Sequence, residues 1–404
     1  MIRLSKNIVI IISILTLMFL IPLLFDLIFK PLPENVLITY STYKDEFLLN
    51  KKHGPTTQYS TADGQQISKE TYYSRLPVFY YRKLEKNGKL PDSIKGEPLI
   101  INNLKQHSYF FRLPEGIADE VQPVLVPMFE NTDEATHYNI PVDFFSFKHS
   151  IKFINVYTGE EDTEKSEKFT NSLVEPGFVF PVKRIYGDIR VQKNFDNGYY
   201  FLDAHNHLFN LKMVRGEAVT EIIPLPRDLT VKFIFCTDPV NMEILAVIVS
   251  QQNEIYLHLG TTNAVIKTDI NGYNPSRDEL LIFGNQFNKT FLFQNDREVR
   301  LNVINDNYKT FRSFQYKRSP KKFQTYDVFK DFFIPVRITF NFRKNQVIKP
   351  HFEISAGLTF LLFNLTLALT LFLIRKKEKP YKALLITLVA GLPAFITFLV
   401  IREN

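Results

Sequence analysis

The chain has 404 residues, a formal net charge of +7, a hydrophobic fraction of 45% and a charged fraction of 23%. This composition is typical of a folded protein and excludes intrinsic disorder for most of the chain. The single cysteine excludes an intrachain disulfide framework and any cysteine-rich zinc or iron–sulfur site.

The first predicted element is an apolar helix near the N-terminus. Residues 8–25 read IVIIISILTLMFLIPLLF and contain no charge. A helix of this length covers about 27 Å, close to the ~30 Å hydrocarbon core of a bilayer. No small-x-small cleavage site follows, so the pattern favours an uncleaved anchor over a cleaved signal peptide. We therefore predict a transmembrane anchor within residues 1–30.

The segment 31–353 is predicted to be an extracytoplasmic β-rich domain. Residues 229–269 and 279–315 each read as four short strands separated by turns, and their third strands begin 44 residues apart, at Ile255 and Val299. A related unit spans 198–223, with weaker copies at 58–68 and 144–157. Four antiparallel strands repeated every 40–50 residues are typical of a β-propeller. We expect a propeller-like domain of about five blades, with a generic β-meander or sandwich as the alternative.

Two inserts interrupt these strands. Residues 160–174 are polar, with Phe169 and Leu173 four positions apart, which predicts a short surface helix. Residues 71–84 are rich in Tyr and Arg, the types that dominate interface energetics. The candidate interaction residues are Tyr72, Tyr73, Arg75, Tyr80, Tyr81 and Arg82. The alternative is a packed strand with Leu76, Val78 and Tyr80 on one face.

Two further apolar runs lie near the C-terminus, at 354–374 and 383–401, separated by a basic turn at 375–382. We predict transmembrane helices 2 and 3, with the third followed by a tail ending at 404. Basic residues near membrane spans mark the cytoplasmic side. They are Arg3, Lys6, Arg375, Lys376, Lys377, Lys379 and Lys382. The sequence thus predicts a multi-pass protein of the bacterial inner membrane, with a cytoplasmic N-terminus and a large periplasmic domain, or with that domain on a Gram-positive cell surface.

The positive charge has a second consequence, for partners. Most of it lies in the two predicted cytoplasmic segments, so it serves as an orientation signal and not as a nucleic-acid footprint. The expected partner is the lipid bilayer, with no nucleic acid.

Few residues suggest chemistry. His205 and His207, two positions apart, join Asp203 as a weak metal-site candidate, and the alternative is an ordinary turn. Cys236 lies in an apolar run and is predicted to be a buried thiol. The Gly-x-Ser-x-Gly, His-Glu-x-x-His and P-loop motifs do not occur in the sequence. We therefore predict no catalytic residue and no cofactor, which favours a non-catalytic protein.

The segments 76–96, 107–113, 164–187, 196–216 and 272–291 resemble a bacterial membrane-protein family catalogued only as a domain of unknown function. The resemblance covers roughly residues 1–350. Members are usually encoded beside an ABC-transporter ATPase and permease, so the resemblance implies these two partners and an accessory role in transport, with the ectodomain as a binding module. It carries over no catalytic residues. The alternatives are a membrane-anchored envelope sensor and a periplasmic hydrolase on a propeller scaffold.

Overall fold

The computed structural model describes residues 2–31, 34–53, 55–119, 123–131, 138–318, 320–340, 350–354, 359–378 and 380–401. The chain forms two compact units, a helical unit of Met1–Glu34 with Lys317–Asn404 and a β-rich unit of Asn35–Tyr316. The helical unit begins with α1 (Ile2–Phe29).

The β-rich unit consists mainly of small antiparallel sheets. Sheet A contains β1 (Asn35–Ser41), β2 (Glu46–His53), β3 (Thr56–Thr61) and β4 (Gln66–Ile67). After it come α2 (Lys69–Ser74), α3 (Pro77–Lys86), the hairpin β5 (Ser93–Ile94) and β6 (Glu97–Pro98), α4 (Ile101–His107) and β7 (Tyr109–Leu113). Sheet B contains β8 (Val126–Pro127), β9 (Asp143–Ser146), β10 (Lys152–Asn155) and β11 (Glu161–Asp162), followed by α5 (Thr163–Val174).

Three further sheets follow in chain order. Sheet C contains β12 (Arg184–Gly187), β13 (Tyr199–Leu202), β14 (Leu208–Val214) and β15 (Glu217–Ile223). Sheet D contains β16 (Val231–Cys236), β17 (Ile244–Ser250), β18 (Ile255–Leu259) and β19 (Val265–Lys267). Sheet E contains β20 (Glu279–Gly284), β21 (Lys289–Gln294), β22 (Glu298–Ile304) and β23 (Thr310–Lys317), and β7 pairs with β20 at its edge.

Neighbouring sheets share hydrophobic cores, and β17 shows why. Its sequence ILAVIVS is apolar at nearly every position. Side chains alternate between the two faces of a strand, so Val247 and Val249 pack in the core shared with sheet E, whereas Ala246 and Ile248 pack in the core shared with sheet C. Further cores join sheets B and C and sheets A and E. A strand buried on both faces needs a continuous apolar run.

These sheets confirm the prediction of a mainly β domain built from repeated antiparallel units. A closed propeller is not formed. Within the described ranges, no hydrophobic core joins sheet A to sheet B, so the series of five sheets stays open between its two ends.

The two inserts are both helical. The predicted helix within 160–174 is confirmed as α5, which buries Phe169 and Leu173 and is capped by Asp162, whose carboxylate accepts from the Lys165 amide at 3.0 Å. The strand alternative for 71–84 is wrong. Ser68 caps α2, and Pro77 begins α3, where its missing N–H costs nothing.

The C-terminal part of the helical unit starts with α6 (Pro320–Phe333). It continues with the hairpin β24 (Val336–Phe340) and β25 (Pro350–Ile354), and then α7 (Thr359–Arg375), α8 (Tyr381–Ala390) and α9 (Leu392–Val400). One apolar core joins α1 to α7, α8 and α9 through Ile14, Leu371, Ala390 and Phe398.

Among the described residues, the structure supports one membrane-spanning candidate and not three. Residues Lys6–Phe29 of α1 are apolar enough and, at 24 residues, long enough to cross a bilayer. Helices α7 and α8, with 17 and 10 residues, fall short of the usual length. The predicted helix over 354–374 is longer than the observed α7, because residue 354 belongs to β25 and α7 begins at Thr359. The run 383–401 is divided because Gly391, at φ +63°, ends α8. The predicted multi-pass topology is therefore not supported.

Candidate ligand-binding cleft

A cleft of about 240 Å³ lies in the β-rich unit where the first strands of sheets B, C and D meet. Its walls come from β8, β12 and β16 and from the short helical turn Ile117–Asp119 after β7. The apolar lining residues include Ile117, Val126, Ile185 and Ile234. A cleft with this lining can take the apolar body of a small molecule.

Three charged residues line the cleft: Arg184 of β12, and Asp188 and Arg190 in the loop that follows β12. The Arg190 guanidinium donates to both Asp188 oxygens, at 2.9 Å from Nε, and to Asp238 Oδ1 at 2.8 Å from Nη2. Its charge is therefore offset by two carboxylates. Sequence reasoning missed these residues, and the only signal was a strand-like VKRIYG segment before the unit at 198–223.

Arg184 differs from Arg190 in its partners. It is partly buried, and no described carboxylate lies within ion-pair distance of its guanidinium. The Tyr186 hydroxyl interacts with Arg184. This hydroxyl donates to the Lys232 carbonyl at 3.3 Å. Burial raises the pKa of Tyr186 to about 12, and Arg184 opposes that rise. Tyr186 is therefore neutral near pH 7, and Arg184 presents a cation that no described acid offsets.

Buried polar contacts hold the loop between β12 and β13 against sheet D. Lys193 forms a buried ion pair with Asp196 and donates to the Asp188 carbonyl at 2.7 Å. Burial raises the pKa of Asp196, and Lys193 opposes that rise. The Asn194 amide donates to Asp238 Oδ2 at 2.9 Å, so a residue following β16 is tied to this loop. These bonds fix the position of the loop that carries Asp188 and Arg190 relative to the end of β16.

Cys236 ends β16 and lines the same cleft. The predicted buried thiol is only partly buried, and it packs against the core shared by sheets C and D. Burial raises its pKa, and the nearby Asp188 and Asp196 raise it further. A thiol in this environment is protonated near pH 7 and is a poor nucleophile.

The structure brings together the predicted metal candidates at the turn between β13 and β14. One ligand atom each from Asp203, His205 and His207 lies within 4.8 Å of the others. The buried Asp203 accepts from the His205 and His207 amides at 2.8 and 2.7 Å, and its Oδ2 lies 3.2 Å from His207 Nδ1. These bonds also describe an Asx-type turn. The metal site stays a prediction.

The aromatic interaction candidates lie on α2 and α3. Tyr72 is fully buried, and the rings of Tyr73 and Tyr80 lie 4.2 Å apart. Arg75 is held by Glu46, with Nη1 at 3.0 and 3.1 Å from the two carboxylate oxygens. Of the six candidates, Arg82 is exposed, and its Nε donates to the Tyr81 hydroxyl at 3.1 Å. Most of this set therefore packs within the unit, and its interaction role stays a prediction.

The topology determinants belong to the helical unit. Arg375 is buried, and its Nη2 donates to the Leu399 carbonyl at 2.8 Å. Lys376 and Lys382 are exposed and Lys6 is partly exposed. The remaining ones fall outside the described side chains: Arg3, Lys377 and Lys379. Arg375 therefore has a packing role that the sequence did not indicate.

Comparisons with known proteins identify a family. The family described as a domain of unknown function (DUF4857) matches residues 37–304. This range is more than half of the chain, so the chain belongs to that family. The match confirms a family known only as a domain of unknown function, over a shorter range than the expected 1–350, and it does not test bacterial origin, membrane nature or a transporter gene setting.

The other two comparisons carry no argument about function. The curated proteins contain no match to the chain. A solved complex of the S. cerevisiae proteins Dbp5, Nup159 and Gle1 with IP6 and ADP is similar at 12% identity, over 80% of this chain and 72% of that chain, with a TM-score of 0.23. This score is too low to support a shared fold.

Proposed function

We propose that this DUF4857 protein is a membrane-anchored binding protein and that its β-rich unit takes a small organic anion with an apolar body. The observation that carries the proposal is Arg184, a partly buried cation at an apolar cleft with no described carboxylate partner. An anionic ligand group would complete its hydrogen bonds, since guanidinium matches carboxylate and sulfonate-like oxygens.

The cleft also has the organisation expected of a binding site. The first strands of three successive sheets face it, as inner strands face the central channel of propeller-type proteins. In this proposal the sheets are arranged as in a propeller that is not closed, with their first strands facing the binding site. Its apolar walls supply burial, and the hydrogen-bonded loop behind it supplies rigidity, which lowers the entropic cost of binding.

Anchoring is the second part of the proposal. Helix α1 supports it, because an apolar window of this length is a candidate span. In this proposal the β-rich unit acts on the outer side of the bacterial inner membrane as the binding component of a transport system. The resemblance described above supports an ABC permease and ATPase as the partners.

A hydrolase is less well supported by the cleft. Its described ionisable lining residues are two arginines, one aspartate, two tyrosines and Cys236. The thiol has a raised pKa, and the described lining residues of the cleft include no histidine. A nucleophile needs an adjacent base, which this set does not offer.

The binding proposal is tested with the full chain in lipid nanodiscs. We would measure binding of 2-naphthoate and of its neutral counterpart 2-naphthamide by equilibrium dialysis, with empty nanodiscs as background. Naphthoate should bind with one-to-one stoichiometry and naphthamide more weakly. Arg184→Gln should weaken naphthoate binding by about 10-fold or more, because hydrogen bonds to charged groups contribute about 1.5–3 kcal/mol.

Matched variants separate recognition from folding. Arg184→Lys keeps the charge and should retain part of the affinity. Arg227→Gln removes an exposed arginine outside the cleft and should leave binding unchanged. Equal binding of the two probes, or an equal loss in Arg227→Gln, would overturn the proposal. Far-UV circular dichroism confirms that each variant is folded.

A further inference from the structure

Three turns of the β-rich unit share one construction: 203–207, 250–254 and 305–309. In each, the amide of the first residue donates to the carbonyl of the fifth, at 3.0, 2.9 and 3.0 Å. The fourth residue is in the left-handed region, at φ +68°, +65° and +56°. The turns therefore serve as references for one another, because a side chain that differs between them is not required by the turn itself.

The first residue of each turn supplies one acceptor oxygen. Asp203 Oδ1, Ser250 Oγ and Asn305 Oδ1 each accept from the amides of the third and fifth residues. One oxygen is thus enough, and a neutral side chain provides it in two of the turns. The third and fifth residues of those two turns are unrelated: Gln252 and Glu254 in one, and Asn307 and Lys309 in the other. The turn geometry therefore accounts for neither the second oxygen of Asp203 nor the imidazoles of His205 and His207.

The groups that the turn does not require lie close together. Asp203 Oδ2 is 3.2 Å from His207 Nδ1. Two ligands of one tetrahedral zinc ion lie about 3.3–3.4 Å apart, since the bonds to the metal are about 2.0–2.1 Å long. A ligand atom of His205 lies within 4.8 Å of the other two. Because the His205 side chain is exposed, core packing does not oppose its rotation towards them.

The charge of Asp203 favours a cation at this point. Its side chain is completely buried, and a buried carboxylate is costly unless a positive charge offsets it. The Lys183 ammonium donates to Asn206 Oδ1. Within the described residues, the one side chain at ion-pair distance from Asp203 is His207. A neutral imidazole does not offset the carboxylate, whereas a divalent cation held by both groups does.

We propose that the turn 203–207 binds one divalent transition-metal ion of the Zn²⁺ class. The ligands are Asp203 Oδ2 and one ring nitrogen each of His205 and His207. Two imidazoles favour this class over Mg²⁺ and Ca²⁺, which prefer oxygen ligands. Three protein ligands leave a coordination position for water. None of the three residues lines the cleft, so this inference goes beyond the proposed function and does not depend on it.

The test uses the full chain in lipid nanodiscs, purified without a histidine tag and freed of metal with EDTA. Zn²⁺ binding is measured by isothermal titration calorimetry, and the ligands are examined by the visible absorption of bound Co²⁺. We expect one Zn²⁺ per chain and a Co²⁺ band that Zn²⁺ removes. An excess of Mg²⁺ should leave both unchanged. Displacement by Mg²⁺ would overturn the proposal, because it would indicate a carboxylate site without imidazole ligands.

Three variants test the ligands one by one. His205→Gln and His207→Gln should each weaken Zn²⁺ binding by about 10-fold or more, because loss of even an outer partner of a metal ligand costs about 10–100-fold. Asp203→Asn keeps an acceptor for the turn amides, as Asn305 does, and should weaken binding by a similar factor. Unchanged affinity in these variants would overturn the proposal.

A matched control comes from another turn. His149→Gln removes an exposed histidine between β9 and β10 and should leave the Zn²⁺ affinity unchanged. A loss equal to that of His207→Gln would overturn the proposal, because zinc would then bind to exposed histidines in general. Far-UV circular dichroism confirms that each variant is folded.

Discussion

The β-rich unit and the helical unit treat buried polar groups differently. In the β-rich unit the fully buried Asp278 pairs with Arg300 at 2.8 Å. In the helical unit the buried Asn364 and Thr387 bond to backbone carbonyls, as in the 3.0 Å bond from Asn364 to Leu388. The β-rich unit pairs two charged side chains here, whereas in the helical unit the Asn364 and Thr387 side chains and the buried Arg375 guanidinium donate to helix backbone carbonyls. Bonds from side chains to helix backbone carbonyls are typical of contacts between apolar helices.

Removing a buried charge from the β-rich unit is the strongest way to break this contrast. Asp278→Ala should destabilise the unit by about 3–5 kcal/mol, because Arg300 and Arg277 would lose a buried partner. The free energy of unfolding is measured by urea titration of the full chain. The readout is the far-UV circular dichroism signal of the β-sheets. The exposed Asp228→Asn is the control and should change it by less than about 0.5 kcal/mol. A small effect at Asp278 would mean that its ion pairs contribute no net stability.

A backbone test of the same unit comes next in size. Gly198 has φ +63°, and a Cβ there would lie 2.1 Å from the Leu211 carbonyl oxygen. Gly198→Ala should therefore cost about 2–3 kcal/mol. Gly216 has a similar φ of +75° but open space around it, so Gly216→Ala should cost only about 1 kcal/mol. Equal costs in the same urea titration would show that the close approach of β14 adds nothing.

A pH test sharpens the comparison further. His258 is buried, with Nδ1 at 2.8 Å from the Tyr200 hydroxyl and Nε2 at 2.8 Å from Asn263 Oδ1. Burial lowers its pKa, and the charge of Lys212 lowers it further, against the opposing effects of Asn263 and Glu221. The unfolded chain therefore takes up the proton first, near pH 6.5. The stability that His258 contributes is fully present above that pH and falls as the pH decreases towards the lower folded pKa.

The loss is limited to about 1.4 kcal/mol for each unit by which the pKa is lowered. His258→Gln should remove this part of the pH dependence below about pH 6.5. Urea titrations at several pH values measure it. If the free energy of unfolding of the variant changed with pH as steeply as that of the wild type, the pH dependence would come from other groups.

The smallest expected effect is in the helical unit. Asn364→Leu removes the hydrogen bond from α7 to the Leu388 carbonyl of α8, and it should cost only about 0.6–1.7 kcal/mol. Thr366→Val, whose hydroxyl bonds within α7 to the Phe363 carbonyl, is the control and should cost less. Thermal unfolding in detergent provides the measurement. A cost as large as that of Asp278→Ala would remove the contrast between the two units.

The sequence predicted what depends on local pattern. Continuous apolar runs such as β17 and the apolar window of α1 were recognised because burial leaves a periodic or unbroken signal. The segment 71–84 was misinterpreted because its alternation at Leu76, Val78 and Tyr80 fits a strand, whereas the cap at Ser68 specifies a helix. The third predicted span failed at Gly391, whose φ is a property of the folded backbone.

The candidate cleft was not predictable in the same way. Arg184 is one arginine in a short strand, and nothing in its neighbours distinguishes it from a solvated residue. Its importance comes from two tertiary facts: the first strands of three sheets meet there, and Asp188 and Asp238 are already bonded to Arg190. Such pairing is decided by residues far apart in the chain.

The pairing of β7 with β20 has a consequence for synthesis of the chain. Arg112 and Glu279 meet across this pair although 167 residues separate them. Closing so long a loop is slow, and β7 has no ladder partner on this edge until residues 279–284 have been made. During that interval its open edge is a template for association with other chains. A truncation before Glu279 would therefore be expected to aggregate and not to yield a smaller folded domain.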